Sequence, residues 1–384
     1  MFYNTAKIID CLWLICMVIA ICGSVYALFA AYLTGLIKAR PPPKPRDYPA
    51  VTILKPLYGA EPDLDANLSS FCMQDYDGDL QMVCGIQDAG DAAGAVAAGV
   101  SRANPKMAIE LVCSGRQLGS NRKISNLINM MERARNPVLV LSDSDMRAGP
   151  DYLDNVVGAL QSPGVGAVTC LYRGLPGPGL WSRLAAMNID QRFLPNVLVG
   201  LHLGLARPCF GSTIALRGET LAKIGGFEAF KDQLADDYLI GDAVRRLGLT
   251  VAIPPILLGH SCPESRFSEL WRHELRWART IRLVDTAGYA GSMITHPLPF
   301  AFAAVALGGF SILSVGSVVA ALVCRAIIPL QLRNVEAGAQ PSLPLLPFRE
   351  LLSFAVFLAS FWPAPVTWRG HSYDVGSDGT LTPN

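Results

Sequence analysis

Long apolar runs without any charge lie near both ends of the sequence. Residues 11–37 and 297–324 contain no Asp, Glu, Lys or Arg. As helices rising ~1.5 Å per residue, both runs are longer than the ~30 Å hydrocarbon core of a bilayer. The pattern therefore predicts a transmembrane helix from each. A third uncharged run, residues 351–368, is interrupted by Pro363 and Pro365, which favours a short span or a re-entrant hairpin.

Between these ends, short strand-like runs alternate with segments of helical periodicity. The strand-like runs are residues 51–54, 80–86, 109–112, 138–141 and 165–170. This alternation is typical of a mostly parallel sheet with helices on both faces. The pattern therefore predicts one α/β domain in the middle of the chain.

The predicted organisation has several consecutive parts. They are an N-terminal transmembrane anchor (1–37), a basic, proline-rich linker (38–50), an α/β domain (51–292), a C-terminal membrane region of about two spans (293–368) and a cytosolic tail (369–384). Within the domain, residues at about 175–206 are apolar with isolated polar side chains, and they fit helices lying in the membrane interface. Helices of an ordinary protein core explain the same pattern.

The composition agrees with a membrane protein. Hydrophobic residues make up 51% of the chain, charged residues make up 16%, and the mean hydropathy is +0.33, which is too apolar for an ordinary soluble enzyme. A net charge of +1 argues against a nucleic-acid partner. The ten cysteines form no Cys-x-x-Cys pair, which favours a reducing compartment over disulfides or a zinc site.

Basic residues follow the first apolar run and set its expected orientation. Only Lys7 precedes the run, whereas four basic residues come soon after it: Lys38, Arg40, Lys44 and Arg46. By the positive-inside rule, the middle of the chain is expected in the cytosol. The segment after the run does not resemble the small-residue cleavage site of a signal peptide, so we interpret the run as an anchor.

Carboxylates follow two of the strand-like runs. Asp143 and Asp145 come after residues 138–141, and Asp88 comes after residues 80–86. The carboxyl ends of parallel strands form the edge where α/β sheets bind ligands. Acids there can hold Mg²⁺ or Mn²⁺, and such a cation in turn binds the diphosphate of an activated donor. Acidic pairs at strand ends also cap helices and terminate sheets without any ligand.

Three further places carry candidate chemistry. Lys123 is predicted in the first turn of an amphipathic helix, where it contacts a phosphate or is simply solvated. Asp236 and Asp237 open a helix that runs through Arg246, and because the helix dipole favours acids there, one of them is expected to cap the helix. His260, after a strand predicted at residues 251–258, is a metal ligand or a buried core histidine.

A later predicted helix combines cations and indoles between Trp271 and Arg279. Such a helix ahead of a span is commonly an interfacial anchor. It could equally offer cations to a pyrophosphate and an aromatic wall to a sugar. The chain has no G-x-x-x-x-G-K-S/T loop and no G-x-G-x-x-G, so ATPase and dinucleotide-binding functions lack support.

The order of these motifs resembles that of family-2-like glycosyltransferases. Asp88, Asp143-x-Asp145, Asp237 and His273-x-x-Arg276-Trp277 match, in this order, the pattern D, D-x-D, D and (Q/R)-x-x-R-W. Flanking segments resemble the ceramide glucosyltransferase family: Leu54-Lys55-Pro56-Leu57, Asn67-Leu68-x-x-Phe71-x-x-Gln74-Asp75-Tyr76 and Asn121-x-Lys123-x-x-Asn126-Leu127. Others are most similar to its bacterial hopanoid-biosynthesis branch: residues 170–174, 179–181, 207–211 and 279–282. The resemblance covers residues 51–370.

The resemblance implies a fold and an activity. The fold would be a GT-A domain, Rossmann-like with a mostly parallel sheet, between N-terminal and C-terminal transmembrane helices. The activity would be UDP-sugar-dependent transfer to a lipid alcohol at the bacterial inner membrane, with the catalytic domain in the cytosol and no protein partner indicated. The hopanoid branch transfers N-acetylglucosamine from its UDP donor to bacteriohopanetetrol.

Other functions compete with this one. A ceramide glucosyltransferase using UDP-glucose is the nearest alternative. A processive polysaccharide synthase would need more spans to build a channel. A non-catalytic, lipid-binding membrane scaffold explains the apolar runs, but it does not explain why acids follow two strands and open a helix in the order of one enzyme family.

The resemblance also implies residue roles. On the donor side they are Asp88 at the uracil or ribose, Lys123 near the nucleotide, Asp143 at the ribose or the metal, and Asp145 at the metal, which would be Mg²⁺ or Mn²⁺. Asp237 would be the general base, Arg276 would neutralise the leaving diphosphate, and Trp277 would flank the sugar or the acceptor. His273 departs from the first position of the family motif. Histidine can still donate to a phosphate or a sugar hydroxyl, but its charge depends on pH.

Overall fold

The computed structural model describes residues 2–39, 41–339, 341–362, 366–368, 371–376 and 379–383. Pro363 and Pro365, which interrupt the third apolar run, lie outside the described residues. The chain divides into two units. Unit 1 comprises Met1–Ala39, Pro178–Arg207 and Glu264–Ala364, and unit 2 comprises Arg40–Gly177, Pro208–Pro263 and Pro365–Asn384.

The helices are numbered along the chain. They are α1 (Phe2–Gly35), α2 (Leu64–Cys72), α3 (Ala92–Ala103), α4 (Arg122–Met131), α5 (Tyr152–Leu160), α6 (Leu180–Asn188), α7 (Leu194–His202), α8 (Gly218–Lys223), α9 (Asp236–Arg246), α10 (Phe267–Val284), α11 (Thr286–Gly291), α12 (Pro297–Gly308), α13 (Ile312–Val335) and α14 (Leu346–Ala359). A π-helical turn, Ile189–Phe193, joins α6 to α7. Short 3₁₀ turns cover Phe227–Phe230, Ser292–Thr295 and Leu343–Leu345.

The strands are numbered in the same way. They are β1 (Val51–Pro56), β2 (Leu80–Ile86), β3 (Ala108–Cys113), β4 (Val138–Leu141), β5 (Met146–Arg147), β6 (Val165–Val168), β7 (Leu171–Pro176), β8 (Ile214–Arg217), β9 (Thr250–Ala252), β10 (Leu257–Cys262), β11 (Val366–Trp368), β12 (His371–Val375) and β13 (Leu381–Pro383).

Unit 2 is built on a seven-stranded sheet of order β3-β2-β1-β4-β8-β6-β9. The four strands from β3 to β4 are parallel, whereas β8 runs antiparallel to both of its neighbours. In the parallel part, Leu54 of β1 pairs with Val83 of β2 and with Leu141 of β4. The carboxyl ends of these three strands therefore meet at one edge. The sheet is mixed rather than uniformly parallel.

Apolar burial explains why the strand-like runs form this sheet. Leu54, Val83 and Leu141 belong to one buried cluster with side chains of α4 and α9, among them Ile124 and Ile240. Fully burying such a side chain stabilises a fold by ~1.5–3 kcal/mol. Two smaller sheets, β5-β10-β7 and β11-β12-β13, complete the unit.

Two predicted strands are wrong in their bounds. The strand predicted at residues 165–170 ends earlier, because β6 stops at Val168, and the run at residues 251–258 is divided between β9 and β10. Pro254 and Pro255 interrupt the second run, and proline cannot donate a backbone hydrogen bond within a sheet.

Unit 1 is helical, and its longest helices are apolar. Within the described residues, Lys7–Gly35 and Ile312–Val335 are long and apolar enough to cross a membrane. Ala27 and Ala30 of α1 form a buried cluster with Val199 of α7 and Ile328 of α13. Val199 thus packs on two long apolar helices within this unit, and the interfacial placement of residues 175–206 stays a prediction.

The prediction of one helix over residues 297–324 is wrong. This run forms α12 and the first half of α13, with a break at Gly309. Gly309 has φ of 67°, a conformation that glycine adopts without steric cost. Ser311 then caps α13 by accepting a hydrogen bond from Ser314 N at 3.2 Å.

Two further elements bear on the predicted C-terminal membrane region. The helices of Thr286–Thr295 and α12 are bent by 58° relative to each other, and they add a further candidate span only if the bent pair crosses as one. The start of the third apolar run lies in α14, whose 14 residues are fewer than the ~20 that a transmembrane helix needs.

Candidate active site

The Asp143-x-Asp145 segment follows β4 and is held on three sides within unit 2. Ser142 N donates to Leu54 O at 3.1 Å, and Asp143 N donates to Gly211 O at 3.0 Å. Ser261 N donates to Asp145 O at 2.8 Å. Because backbone bonds fix the segment, its two carboxylates have defined positions at the sheet edge. Both side chains keep 33% of their surface exposed.

Lys123 contacts two of the acids. Its Nζ lies 2.8 Å from Asp143 Oδ1 and 3.4 Å from Asp236 Oδ2. The predicted first-turn position is confirmed, and Asn121 caps α4 by accepting from Ile124 N at 3.1 Å. Burial alone would lower the pKa of Lys123, but the nearby carboxylates, with Asp143 the strongest, outweigh it and raise the pKa. Lys123 is therefore a fixed cation in this cluster.

Asp237 is the second residue of the helix predicted to run through Arg246, and α9 confirms that helix. Asp237 Oδ2 accepts from Gly211 N at 3.1 Å, and Oδ1 accepts from Tyr238 N at 2.8 Å. Burial raises the pKa of Asp237 to about 6, with a further rise from the charge of Asp236, while Lys123 opposes the shift. A carboxyl group with such a pKa is ionised near neutral pH and remains able to accept a proton.

One of the two acids that open α9 is expected to cap it, and Asp236 does not do so. The N-cap residue is Ala235, which makes no side-chain cap bond. Instead, Asp236 is buried, with Oδ1 accepting from Asn121 Nδ2 at 3.2 Å and Oδ2 facing Lys123. The helix dipole still favours an acid at this position, but the charge of Asp236 pairs with Lys123.

His260 is buried, as the core interpretation expected, and its Nε2 lies 3.3 Å from Asp145 Oδ2. Its ring stacks on Tyr172, with 5.5 Å between the centroids. Burial would lower the pKa of His260, but the Asp145 carboxylate outweighs burial and raises it well above its usual value. His260 therefore contacts Asp145, one of the two predicted metal ligands.

The backbone of Gly211 lies close to the side chains of Asp143 and Lys123, where an added side chain would be crowded. A Cβ atom at this position would collide with Asp143 Oδ2 and lie 3.0 Å from Lys123 Nζ. The same residue gives its N–H to Asp237 and its carbonyl to Asp143. A side chain at this position would therefore displace the Asp143 carboxylate from its place beside Lys123 and Asp237.

Asp88 follows β2 at the same sheet edge, because β2 is parallel to β1. Its Oδ1 accepts from Gly90 N at 2.8 Å, within the loop that leads to α3. This hydrogen bond is local, and the position of Asp88 at the same sheet edge as Asp143 and Asp145 follows from strand topology.

The remaining predicted residues, His273, Arg276 and Trp277, lie on α10 in unit 1. His273 Nδ1 is 2.5 Å from Glu264 Oε1, and the His273 ring is 4.6 Å from the Trp277 ring. Trp277 also packs at 6.1 Å against Phe193 of the π-helical turn. The single predicted helix from Trp271 to Arg279 is confirmed.

Sequence reasoning missed Lys55 as part of the site. Lys55 lies on β1, fully buried, and its Nζ donates to Asp143 O at 2.9 Å and to Ser142 Oγ at 3.1 Å. Burial lowers its pKa to about 7, although the charges of Asp143 and Asp145 oppose the shift. The available signal was a lysine inside an otherwise apolar strand.

The two carboxylates suit a divalent cation. Within the described residues, no group of three or more His, Cys, Asp or Glu side chains is placed to hold a metal ion. Mg²⁺, however, is usually bound by one or two carboxylates together with substrate phosphates and water. Asp143 and Asp145, partly exposed at the sheet edge, would be the carboxylates of such a site.

Comparison with known proteins decides the family. The model of glycosyl transferase family 21 matches residues 13–381. The chain belongs to this family. It is accordingly a glycosyltransferase, and the predicted enzyme class is confirmed.

Two family relatives are ceramide glucosyltransferases of Caenorhabditis elegans. Ceramide glucosyltransferase 1 is 24% identical over 343 aligned positions, covering 87% of this chain and 73% of the relative. Ceramide glucosyltransferase 3 is 24% identical over 389 residues, covering 95% of this chain and 83% of the relative. The resemblance to the ceramide glucosyltransferase family is confirmed, and the hopanoid branch stays a prediction.

A solved structure supports the fold. Mannosyltransferase PcManGT from Pyrobaculum calidifontis superposes with a TM-score of 0.53 at 20% identity, covering 91% of this chain and 99% of its own. The predicted GT-A-like α/β fold is therefore confirmed, with a mixed sheet.

Proposed function

We propose that this protein transfers a hexose from a UDP-sugar to the hydroxyl group of a membrane lipid, with inversion at the anomeric carbon. The observation that carries the proposal is Asp237. Its pKa is about 6, and the N–H of Gly211 orients it. Gly211 also contacts Asp143, so one backbone segment joins the proposed base to the proposed donor site.

The donor would be held by the acids at the sheet edge and by Lys123. Asp143 and Asp145 would hold Mg²⁺ or Mn²⁺, which supplies positive charge to a bound diphosphate. The solved structure of PcManGT contains GDP-mannose and Mn²⁺, which supports a cation and a nucleotide sugar here. Asp88 would contact the uracil or the ribose, and Lys123 would fix the Asp143 carboxylate.

The transfer itself is a single displacement. The lipid oxygen forms a bond to the anomeric carbon, the bond from that carbon to the diphosphate oxygen breaks, and the hydroxyl proton passes to Asp237. UDP leaves with the bonding electrons. Arg276 would neutralise the charge on the diphosphate, since fixed cations stabilise such charge best in a dry site. Trp277 would flank the sugar or the acceptor, and His273 would donate to a phosphate or a sugar hydroxyl.

Two acceptors remain in competition. The ceramide glucosyltransferase relatives favour ceramide with UDP-glucose. The segments around residues 170–174 and 207–211 favour bacteriohopanetetrol with UDP-N-acetylglucosamine. We propose the second pair, with the first as the alternative. The apolar helices support a membrane protein. We propose that it crosses the bacterial inner membrane more than once with residues 51–292 in the cytosol, and that its acceptor stays in the bilayer.

A crossed assay tests the proposal. Purified protein in nanodiscs would receive UDP-N-acetylglucosamine or UDP-glucose, each with bacteriohopanetetrol or ceramide, and lipid products would be identified by mass spectrometry. We expect N-acetylglucosaminyl bacteriohopanetetrol, with the β anomer formed from the α-linked donor. Glucosylceramide as the main product would establish the alternative. If no UDP is released with any pair, the chain is not a UDP-sugar-dependent lipid glycosyltransferase.

A further inference from the structure

The helix that carries His273, Arg276 and Trp277 has a carboxylate in its packing face. The buried residues of α10 are Leu270, Glu274 and Ala278, spaced four apart, so they form one stripe along the helix. Glu274 has no role in the family motif. A charge buried between apolar side chains carries a large desolvation cost unless it is paired.

Arg349 of α14 pairs with this carboxylate through both arms of its guanidinium group. Its Nη1 lies 2.6 Å from Glu274 Oε1, and its Nη2 lies 2.7 Å from Glu274 Oε2. The side chains are only 1% and 6% exposed. Nη1 also donates to Leu184 O of α6 at 3.1 Å, and Nε donates to Ser353 Oγ at 3.1 Å. Every guanidinium nitrogen of Arg349 is thus engaged.

A bidentate pair restricts α10 more than apolar packing does. An apolar face tolerates small rotations and shifts, because dispersion contacts are not directional. The planar guanidinium matches a carboxylate in one geometry. Glu274 lies between His273 and Arg276, so whatever fixes its direction also fixes the direction of these neighbours on the helix, at ~100° per residue.

We propose that Arg349 is a positioning residue, which sets the rotation of α10 through Glu274 and thereby aims His273, Arg276 and Trp277. The inference rests on the proposed function for the roles of these three residues. The pair stands apart from the reacting atoms and acts through the helix.

The same unit contains a matched control. Glu350, next to Arg349 on α14, pairs with Arg325 of α13, whose Nε and Nη2 lie 2.9 Å and 2.6 Å from Glu350 Oε1. These side chains are 2% and 1% exposed. Arg325 also donates to Gln191 O at 2.7 Å. This pair is equally buried and equally charged, but its partners lie on α13, α14 and the π-helical turn instead of α10.

The experiment compares Arg349→Lys with Arg325→Lys in the full-length protein in nanodiscs. Lysine keeps the positive charge of arginine but cannot form the bidentate pair that a guanidinium group forms. Because the charge is kept, both variants are expected to fold. The measurements are kcat and KM for the UDP-sugar, the Tm, and peptide-resolved hydrogen exchange over Phe267–Val284. We expect Arg349→Lys to lower kcat at least tenfold with KM changed less than threefold, and to speed exchange in α10. Arg325→Lys, at a similar loss of Tm, should keep kcat within threefold and leave exchange in α10 unchanged.

A second variant tests rescue. The charge-swapped double variant Glu274→Arg/Arg349→Glu should recover kcat relative to either single change, because it restores the pair. The inference would be overturned if Arg349→Lys and Arg325→Lys lost equal amounts of kcat at equal losses of Tm. It would also be overturned if hydrogen exchange in α10 were unchanged in Arg349→Lys. If the parent protein transfers no sugar, the proposed function fails, and the exchange comparison alone then decides whether Arg349 holds α10.

Discussion

Lys123 Nζ lies 2.8 Å from Asp143 Oδ1, so the first acid of the Asp143-x-Asp145 motif has a counterion within the protein itself. The same ammonium group faces Asp236 at 3.4 Å. Its charge lowers the pKa values of Asp143 and Asp237, against the effect of burial. The state of the proposed base therefore depends on a lysine in another helix.

Lys123→Met should move the acidic limb of the pH–rate profile. In the parent protein, Asp237 with a pKa of about 6 accepts protons only when ionised, so kcat should rise with pH around that value. Lys123 lowers the pKa of Asp237 through its charge, so removing this cation raises that pKa further. The limb should shift upward in a profile of kcat against pH, whereas exposed Lys106→Met should leave it in place. An unshifted acidic limb in Lys123→Met would show that Lys123 does not influence the pKa of the proposed base.

Gly211→Ala should damage the site without unfolding the unit. The added methyl group collides with Asp143 Oδ2 and crowds Lys123 Nζ, so Asp143 must move. We expect UDP affinity, measured by calorimetry, to fall at least tenfold. The control is Gly99→Ala in α3, where no heavy atom lies within 4 Å of the new Cβ and alanine favours the helix by ~1 kcal/mol. Equal UDP affinity in the two variants would contradict the close packing at Gly211.

Lys55→Met should change how stability depends on pH. The pKa of Lys55 is lowered from 10.5 to about 7 in the folded protein, so between these values the unfolded chain binds one more proton. The free energy of unfolding of the parent should therefore rise with pH in that window, and the methionine variant lacks this term. The difference in Tm, parent minus variant, should grow from pH 7 to pH 10. Parallel Tm curves would show that Lys55 keeps its ordinary pKa.

Removing the divalent cation should weaken donor binding and transfer together. We expect EDTA to abolish transfer and to lower UDP affinity, with Mg²⁺ or Mn²⁺ restoring both in the parent. Asp145→Asn should show the same losses without recovery, because an amide is a poorer ligand for a hard cation than a carboxylate. Asp77→Asn, at an exposed loop position of the same unit, serves as the control. Full activity in excess EDTA would remove the metal from the proposal.

The sheet and the first turns of two helices were predictable because their signals are local. Apolar runs indicated β1, β2 and β4, and helix-start patterns put Lys123 and Asp237 in the first turns of α4 and α9. The break at Gly309 also had a local signal, the Gly308-Gly309 pair. The length of the uncharged run nevertheless favoured one continuous helix.

The contacts within the site were not predictable, because they join residues far apart in sequence. Lys123 and Asp236, whose side chains pair within the site, are 113 positions apart in the sequence, and no periodicity indicates their contact. Lys55 was recognisable in the sequence as a charged residue inside a buried strand. Its contact with Asp143 could not be predicted, because it forms only when β1 and β4 pair in the sheet. Glu274 and Arg349 likewise meet only in the folded helices.

The most direct test of the account compares Asp237→Asn with Asp236→Asn. Asparagine keeps the shape of Asp237 but cannot take the proton, so kcat should fall ~100- to 10,000-fold while UDP affinity stays within a few-fold of the parent. Asp236→Asn loses the charge that faces Lys123 and should cost ~1–3 kcal/mol of stability with a far smaller loss of kcat. Near-normal turnover by Asp237→Asn, measured with the acceptor that the parent uses, would contradict Asp237 as the base.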